Sequence, residues 1–246
     1  MSNTIDVLLS HRSYRDYTDQ PVSDANLNVI IAAAHRAPSS INAQHVSLVV
    51  VRDATRRARI AEIAGGQPWI AKAPVFVCVV MDFSKTNAAL ESVGVTQVAH
   101  ESLEGFAAGA IDSGIVLATI MTAARGLGLG TVPIGGIRND SQAMIELLEL
   151  PRLTFPIVGC SIGHFASEPQ LKPRLPLHTF RHDEKWHGVP DIAAVQSYDE
   201  TLLAYWKSIG RTDGLPWAQN TAAPYSKVYY RKTKHVAAQQ GFAVDK

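Results

Sequence analysis

Residues 114–137 read GIVLATIMTAARGLGLGTVPIGGI, an apolar run that changes character at its glycines. From about residue 97 to 125 the chain is poor in charge and rich in alanine and glycine. Such a stretch reads as a helix apolar nearly all round, buried in a large core or across a subunit interface. Arg125 and the glycines interrupt the run of 114–137 too often for a membrane span, which needs roughly twenty clean residues. Residues 131–137 then read as extended. Working outward, 140–150 has helical spacing and 155–162 is a further strand. Upstream, Ile5, Leu8 and Leu9 have helical spacing. A second helix is predicted over 24–35, with Ser23 as N-cap and Leu27, Ile30, Ile31 and Ala34 on one face. Strands are predicted at 46–51 and 75–81, separated by a helix that Asp53 caps and that ends at Gly65-Gly66-Gln67. This order predicts an α+β domain with a central sheet covered by helices.

Beyond residue 164 the periodicity fades. Residues 167–190 read as loop, and only 198–208 is clearly helical. The region 164–246 shows little core of its own and reads as a partly extended C-terminal region that needs a partner subunit to bury it. With no internal repeat or low-complexity linker, 1–246 is read as one domain.

Hydrophobic residues make up 46% and charged residues 18%, with 17 glycines and 13 prolines, which excludes disorder and collagen-like sequence. The net charge of +1 provides no global field for nucleic acid or anionic lipid, so any anion site must be a local cluster. Cys78 and Cys160 lie in separate apolar runs without a CxxC pair and read as core thiols of a reducing compartment. The first fifteen residues lack a signal-peptide layout. A soluble cytoplasmic protein is expected.

Four segments could carry chemistry. His11-Arg12-Ser13-Tyr14-Arg15 places two guanidinium groups three apart beside a hydroxyl, which suits phosphate; taken alone, such a segment is more often a solvated helix end. Ser39-Ser40-Ile41-Asn42-Ala43-Gln44 offers hydroxyls and amides that could meet the mixed edge of a heteroaromatic ring, or form an ordinary turn. Pro133-Ile134-Gly135-Gly136 ends a strand with two missing Cβ atoms, which lets a ligand approach the backbone or simply marks a bulge. Lys172-Pro173-Arg174 holds two cations in a proline-stiffened stretch. No GxGxxG, GxSxG or HExxH signature is present. His178, His182 and His187 lack the spacing of a metal site, and no metal is expected. His100, Glu101 and Glu104 read as a polar helix patch.

Taken in order, HRSYR, PSSINAQ, GGQ, GTVPIGGIRND and LKPRLP resemble the FMN-dependent nitroreductase and flavin reductase family, above all its oxygen-insensitive NADPH-linked branch. The resemblance covers about residues 4–190, more loosely the remainder. It implies a nitroreductase-like fold with a mainly antiparallel sheet, and an intertwined homodimer with two FMN sites at the subunit interface. The partner's C-terminal segment would add a strand to the sheet. Under it, His11, Arg12 and Ser13 hold the FMN phosphate with Arg174. Arg15, Gln67 and Lys172 address the polar edge of the ring. Ser39, Ser40 and Asn42 line it from the other subunit. Ile134, Gly135 and Gly136 lie against the ring, a backbone N–H there reaching the flavin N5, with Pro133 just before them. The sequence has His45-Val46 after Gln44 where other branches carry Pro-Trp.

The implied activity is two-electron transfer from NADPH or NADH to nitroaromatics, quinones or free flavin. One stacking site would be used in turn, hence ping-pong kinetics. The flavin carries the chemistry, and no side chain need act as a nucleophile. Competing readings are a non-catalytic flavin sensor or carrier, and a dehalogenating or flavin-fragmenting member of the same fold. Residues 208–223, punctuated by Gly and Pro, are predicted to be mobile. Within them Arg211 is the candidate for the 2′-phosphate of NADPH.

Overall fold

The apolar run at 75–81 becomes one of the two inner strands of a four-stranded sheet. The structure, a computed structural model, describes residues 4–188, 191–228 and 230–243. The strands are β1 (Val46–Val51), β2 (Val75–Asp82), β3 (Gly130–Ile134) and β4 (Thr154–Gly163), in the order β1-β2-β4-β3 with every pair antiparallel. The α+β, nitroreductase-like expectation of a central antiparallel sheet flanked by helices therefore holds. Every residue of β2 is buried, because both faces of the sheet are covered and the strand's alternation serves two cores. Phe76, Cys78 and Val80 point into one, with Ile60, Ile70, Ile134, Ile137 and Met144. Val75, Val77 and Val79 point into the other, with Leu27, Ile30, Val116 and Ile120. Cys160 pairs with Val77 across the ladder. Pleating thus sends the two thiols to opposite faces although their strands are neighbours. Burial pushes each thiol up to about 12.

The helices of this unit are α1 (Thr4–Leu9), α2 (Asp24–His35), α3 (Ala54–Ile63), α4 (Pro68–Lys72), α5 (Ser84–Glu91), α6 (Leu103–Gly126) and α7 (Ser141–Leu147). Ser23 and Asp53 cap α2 and α3 as their sequences require, accepting from Asn26 N–H and Arg56 N–H. Helix α6 starts at Leu103, six residues after the apolar pattern does, because Ser102 accepts from Gly105 N–H and a short 3-10 turn fills 99–101. By length and composition α6 is the one helix among the described residues able to cross a membrane. It packs instead on α2 and the sheet. One stripe of α6 is buried, including Gly109, Asp112, Val116, Ile120 and Ala124, while Ile111 is 63% exposed. Gly109 is required there: a Cβ would lie 2.3 Å from Met81 Sδ.

Two expectations need correction. The extended run stops at Ile134, and Gly135–Asp140 winds into 3-10 turns before Asp140 accepts from Ala143 N–H and starts α7. The C-terminal region is also not poor in core. Tyr230 onward belongs to the same compact unit as the chain up to Pro169. There Val236, Ala237 and Phe242 are buried against Met81, Phe83 and Phe155.

Residues 170–229 form a second compact unit. It holds α8 (Ile192–Ser208) and α9 (Trp217–Tyr225), while α10 (Thr233–Gln239) lies in the first unit. Asp191 accepts from Ala194 N–H and starts α8 six residues earlier than the sequence pattern suggests. Tyr198, Leu202 and Trp206 make its core. The stretch 208–223 is thus partly helical, since α9 occupies its second half.

Candidate functional site

Three of the quoted motifs meet in the first unit. Tyr14 is fully buried and its N–H donates to Thr131 O at 3.0 Å, which ties the segment 11–15 to β3. Gly130 permits this approach, because a Cβ there would lie 2.8 Å from Tyr14 Cβ. Arg15, exposed, stacks over the Trp69 ring at 5.3 Å. Trp69 sits in α4, directly after Gln67. The Gln67 amide donates to Ala64 O at 2.8 Å and packs on Gly136, where a Cβ would lie 2.5 Å from Gln67 Nε2. The strand's alternation buries Ile134 and exposes Pro133. Gly135 is half-buried, and Gly136 lies buried beneath Gln67.

Beside them is a cation cluster. Arg12 Nη1 donates to Ser10 O at 2.8 Å and lies 3.5 Å from Glu168 Oε1. Arg12 Nε is buried without a hydrogen-bond partner among the described residues. The same Glu168 oxygen takes the Tyr14 hydroxyl at 2.9 Å and lies 3.5 Å from Arg125 Nη2. Arg125 stacks on Tyr14 and Phe165, 4.7 and 5.5 Å from their ring centroids. Burial and then the Glu168 bond push Tyr14 up to about 12. His11 and Ser13 flank Arg12, both half-buried. Sequence reading missed Arg125, taken there only as an interruption of an apolar run, and Glu168, which no local pattern marks.

The loop with Ser39, Ser40 and Asn42 has its described partners elsewhere. Ser39 Oγ accepts from Gln44 N–H at 3.1 Å, and Ser40 N–H donates to Asp112 Oδ2 at 2.9 Å. Ile41, Asn42 and Gln44 all have positive φ, at 46, 59 and 54°. His45 Nε2 lies 2.8 Å from the same Asp112 oxygen.

In the second unit Lys172 and Arg174 are exposed. The Arg174 guanidinium donates to Lys172 O and Pro173 O at 3.2 and 3.3 Å. Pro173 O also takes the Tyr198 hydroxyl, which anchors the segment on α8. Lys172 Nζ and Arg211 lie over the Trp206 ring, 4.9 and 4.6 Å from its centroid. Arg211 Nε also pairs with Asp213 at 2.9 Å, holding that carboxyl below the usual range. The three clustered histidines have separate neighbours: His178 pairs with Asp191, His182 stacks on Trp186, and His187 meets Asp183 O. His100 is buried, with Nδ1 3.3 Å from Gln97 Nε2, so it belongs to the interior rather than to an exposed patch.

Known proteins resemble the chain along most of its length. The model of the Nitroreductase family matches residues 8–164, and that of the Nitroreductase family C-terminal domain matches 172–245. The chain is 43% identical over 251 residues to an FMN reductase [NAD(P)H] of Bacillus subtilis, covering 100% of both chains. It is 36% identical over 214 residues to an oxygen-insensitive NADPH nitroreductase of Salmonella typhimurium, covering 85% of each. Among solved structures, NfrA2 of B. megaterium superimposes with a TM-score of 0.96 at 38% identity, over 100% of both chains. The NADPH:FMN oxidoreductase of Vibrio harveyi complexed with NAD+ superimposes at 0.89 and 32% identity, over 98% of this chain and 99% of that one. The chain belongs to the Nitroreductase family.

Proposed function

We propose that the chain is an NAD(P)H-dependent FMN oxidoreductase that passes two electrons to nitroaromatics, quinones or free flavin. The observation that carries this is the chain of contacts joining the segments 11–15, 67–69 and 130–136: Tyr14 on Thr131, Arg15 over Trp69, and Gln67 on Gly136. The relatives' names, an FMN reductase [NAD(P)H] and an oxygen-insensitive NADPH nitroreductase, support the activity and its cofactors.

The residues present fit FMN. Arg12 offers a buried Nε with no hydrogen-bond partner among the described residues, and it shares Glu168 with a second guanidinium, Arg125; phosphate is the kind of anion that such a pair accepts. FMN supplies the two-electron chemistry when bound; the protein supplies binding, orientation and charge. In this reading His11, Arg12 and Ser13 hold the phosphate with Arg174. Arg15, Gln67 and Lys172 face the polar edge of the ring, where cations favour negative charge. Ile134, Gly135 and Gly136 support its plane, and Ser39, Ser40 and Asn42 approach it from a second copy of the chain. A single stacking surface used by donor and acceptor in turn gives ping-pong kinetics.

The dimer has its own support. Helix α1 has no buried residue, and its Ile5, Leu8 and Leu9 are 57, 53 and 74% exposed beside α6, whose Ile111 is exposed too. Exposed apolar helices of this kind mark an interface. The proposal places the protein in the cytoplasm, where Cys78 and Cys160 stay reduced. Neither nucleic acid nor a membrane is a partner in it.

The test is direct. The purified protein should be yellow and dimeric by light scattering, and should oxidise NAD(P)H when a quinone is added, with parallel double-reciprocal lines. Bound flavin without NAD(P)H oxidation would favour a carrier. Intersecting lines would reject the shared site.

A further inference from the structure

Asp112 occupies an unusual position for a carboxylate. It lies on the buried stripe of α6 and is 3% exposed. One of its oxygens, Oδ2, meets two groups from outside the helix: Ser40 N–H at 2.9 Å and His45 Nε2 at 2.8 Å. A buried carboxylate is costly unless paired; here the Ser40 N–H bond and the closeness of His45 Nε2, an ion-pair distance without hydrogen-bond geometry, are what meet it. His45 is itself 3% exposed and fixed on two further sides. Its ring stacks on Phe83, with centroids 4.8 Å apart and planes 10° apart, and its carbonyl accepts from Asp82 N–H at 2.9 Å.

Between Ser40 and His45 the backbone is strained. Ile41, Asn42 and Gln44 hold positive φ without being glycine, and for the β-branched Ile41 that conformation is an outlier. Strain of this kind persists only where surrounding contacts over-determine it. Asp112 fixes the loop's first turn, His45 sits at its exit 2.8 Å from the same oxygen and is held by Phe83 and Asp82 N–H, and Ser39 Oγ to Gln44 N–H closes the loop. Ile41 meanwhile projects outward, 95% exposed.

We infer that Asp112 is a positioning residue for the flavin site: with His45 it clamps the loop that presents Ser39, Ser40 and Asn42. The inference rests on the assignment of that loop to FMN, made above. Asp112 touches no cofactor in this reading; it acts through the backbone of Ser40.

The experiment measures FMN release from holoprotein, read as flavin fluorescence on dilution, together with the visible flavin spectrum. Asp112→Ala should raise the Kd for FMN about tenfold and shift the visible band. Asp112→Asn should restore the Kd to within about threefold of wild type, since its amide oxygen can still accept from Ser40 N–H. In a Ser39→Ala/Asn42→Ala background the effect of Asp112→Ala should shrink to about threefold or less, because the coupled groups are gone. A purely structural role would lower the melting temperature equally in both backgrounds and leave the spectrum in place, and that result overturns the inference. So does an unchanged Kd in Asp112→Ala. Should Asp112→Ala fail to fold, His45→Ala takes its place, with a Kd raised about threefold expected and an unchanged Kd overturning. Ser39→Ala/Asn42→Ala with unaltered FMN binding would instead remove the loop from the flavin site. That failure is distinguishable, because it needs no change at Asp112.

Discussion

Arg12 and Glu168 form an ion pair, 3.5 Å apart, in which a single carboxylate oxygen also faces Arg125 and takes the Tyr14 hydroxyl. One acid thus sits among the groups to which the phosphate of FMN is assigned. Glu168 is half exposed, so its attraction for Arg12 is screened and modest. Replacing it with Gln keeps the Tyr14 bond and removes the competing charge. Glu168→Gln is expected to tighten FMN binding by about twofold to fivefold at low salt, with the gain fading as ionic strength rises. A titration of FMN at two salt concentrations decides it; weaker binding would mean that Glu168 orients Arg12 rather than competing with the ligand.

The Arg174 guanidinium donates to carbonyls of its own segment, Lys172 O and Pro173 O. A guanidinium on phosphate is a charge-assisted contact contributing on the order of 1.5–3 kcal/mol. Arg174→Ala should therefore raise the Kd for FMN about 10- to 100-fold and give largely colourless protein. Retention of FMN with unchanged affinity would reject the phosphate assignment.

Arg211 rests on Trp206 and pairs with Asp213, an arrangement that holds it near the surface of α8 without burying it. Arg211→Ala is expected to raise the KM for NADPH, change kcat little and leave NADH kinetics nearly unaltered. Asp213→Asn, which frees the guanidinium, should lower the same KM. Steady-state kinetics with both nicotinamides check this, and equal effects on the two would remove the case for 2′-phosphate recognition.

Gly136 allows no side chain, since a Cβ would lie 2.5 Å from Gln67 Nε2 and 2.7 Å from the backbone oxygen of Ala64. The amide could move, but the carbonyl could not without shifting α3. Gly136→Ala is expected to cost about 1–3 kcal/mol by overpacking. It should also displace Gln67, which would appear as a changed visible band of bound flavin. Urea unfolding and absorption spectra measure the two effects separately.

Asp82 is buried, which by itself raises a carboxyl, but hydrogen bonds from Ser47 and Ser84 and the nearby Lys85 outweigh burial and hold it below its ordinary value. A group depressed in the folded state contributes stability above its unfolded value, near about 4, and loses it as pH falls through the folded value. Asp82→Asn should therefore destabilise the protein at pH 7 and much less once the pH has fallen below the folded value of this carboxyl. Urea midpoints across that range test the sign; a constant difference would mean that the charge is not what Ser47 and Ser84 stabilise.

Much of this molecule is decided locally. The helix caps Ser23 and Asp53, the strands at 46–51 and 75–81, and the apolar helix ending near Gly126 follow from side-chain chemistry within a few residues of each position, and the structure agrees. The motifs proposed for phosphate and ring stand out in the sequence for the same reason, being short runs of hydrogen-bond donors. Tertiary structure alone decided what lies between distant segments: that Tyr14 hangs on Thr131, that Arg15 covers Trp69, that Glu168 joins Arg12 to Arg125, and that Asp112 grips Ser40. The C-terminal core escaped sequence reading because Val236, Ala237 and Phe242 show no period; they are buried by Met81, Phe83 and Phe155, whose positions depend on the whole sheet. Periodicity reports a face that an element presents to some core. Which core covers it, and which polar group closes a strained loop, is set by contacts far apart along the chain, and no local pattern encodes them.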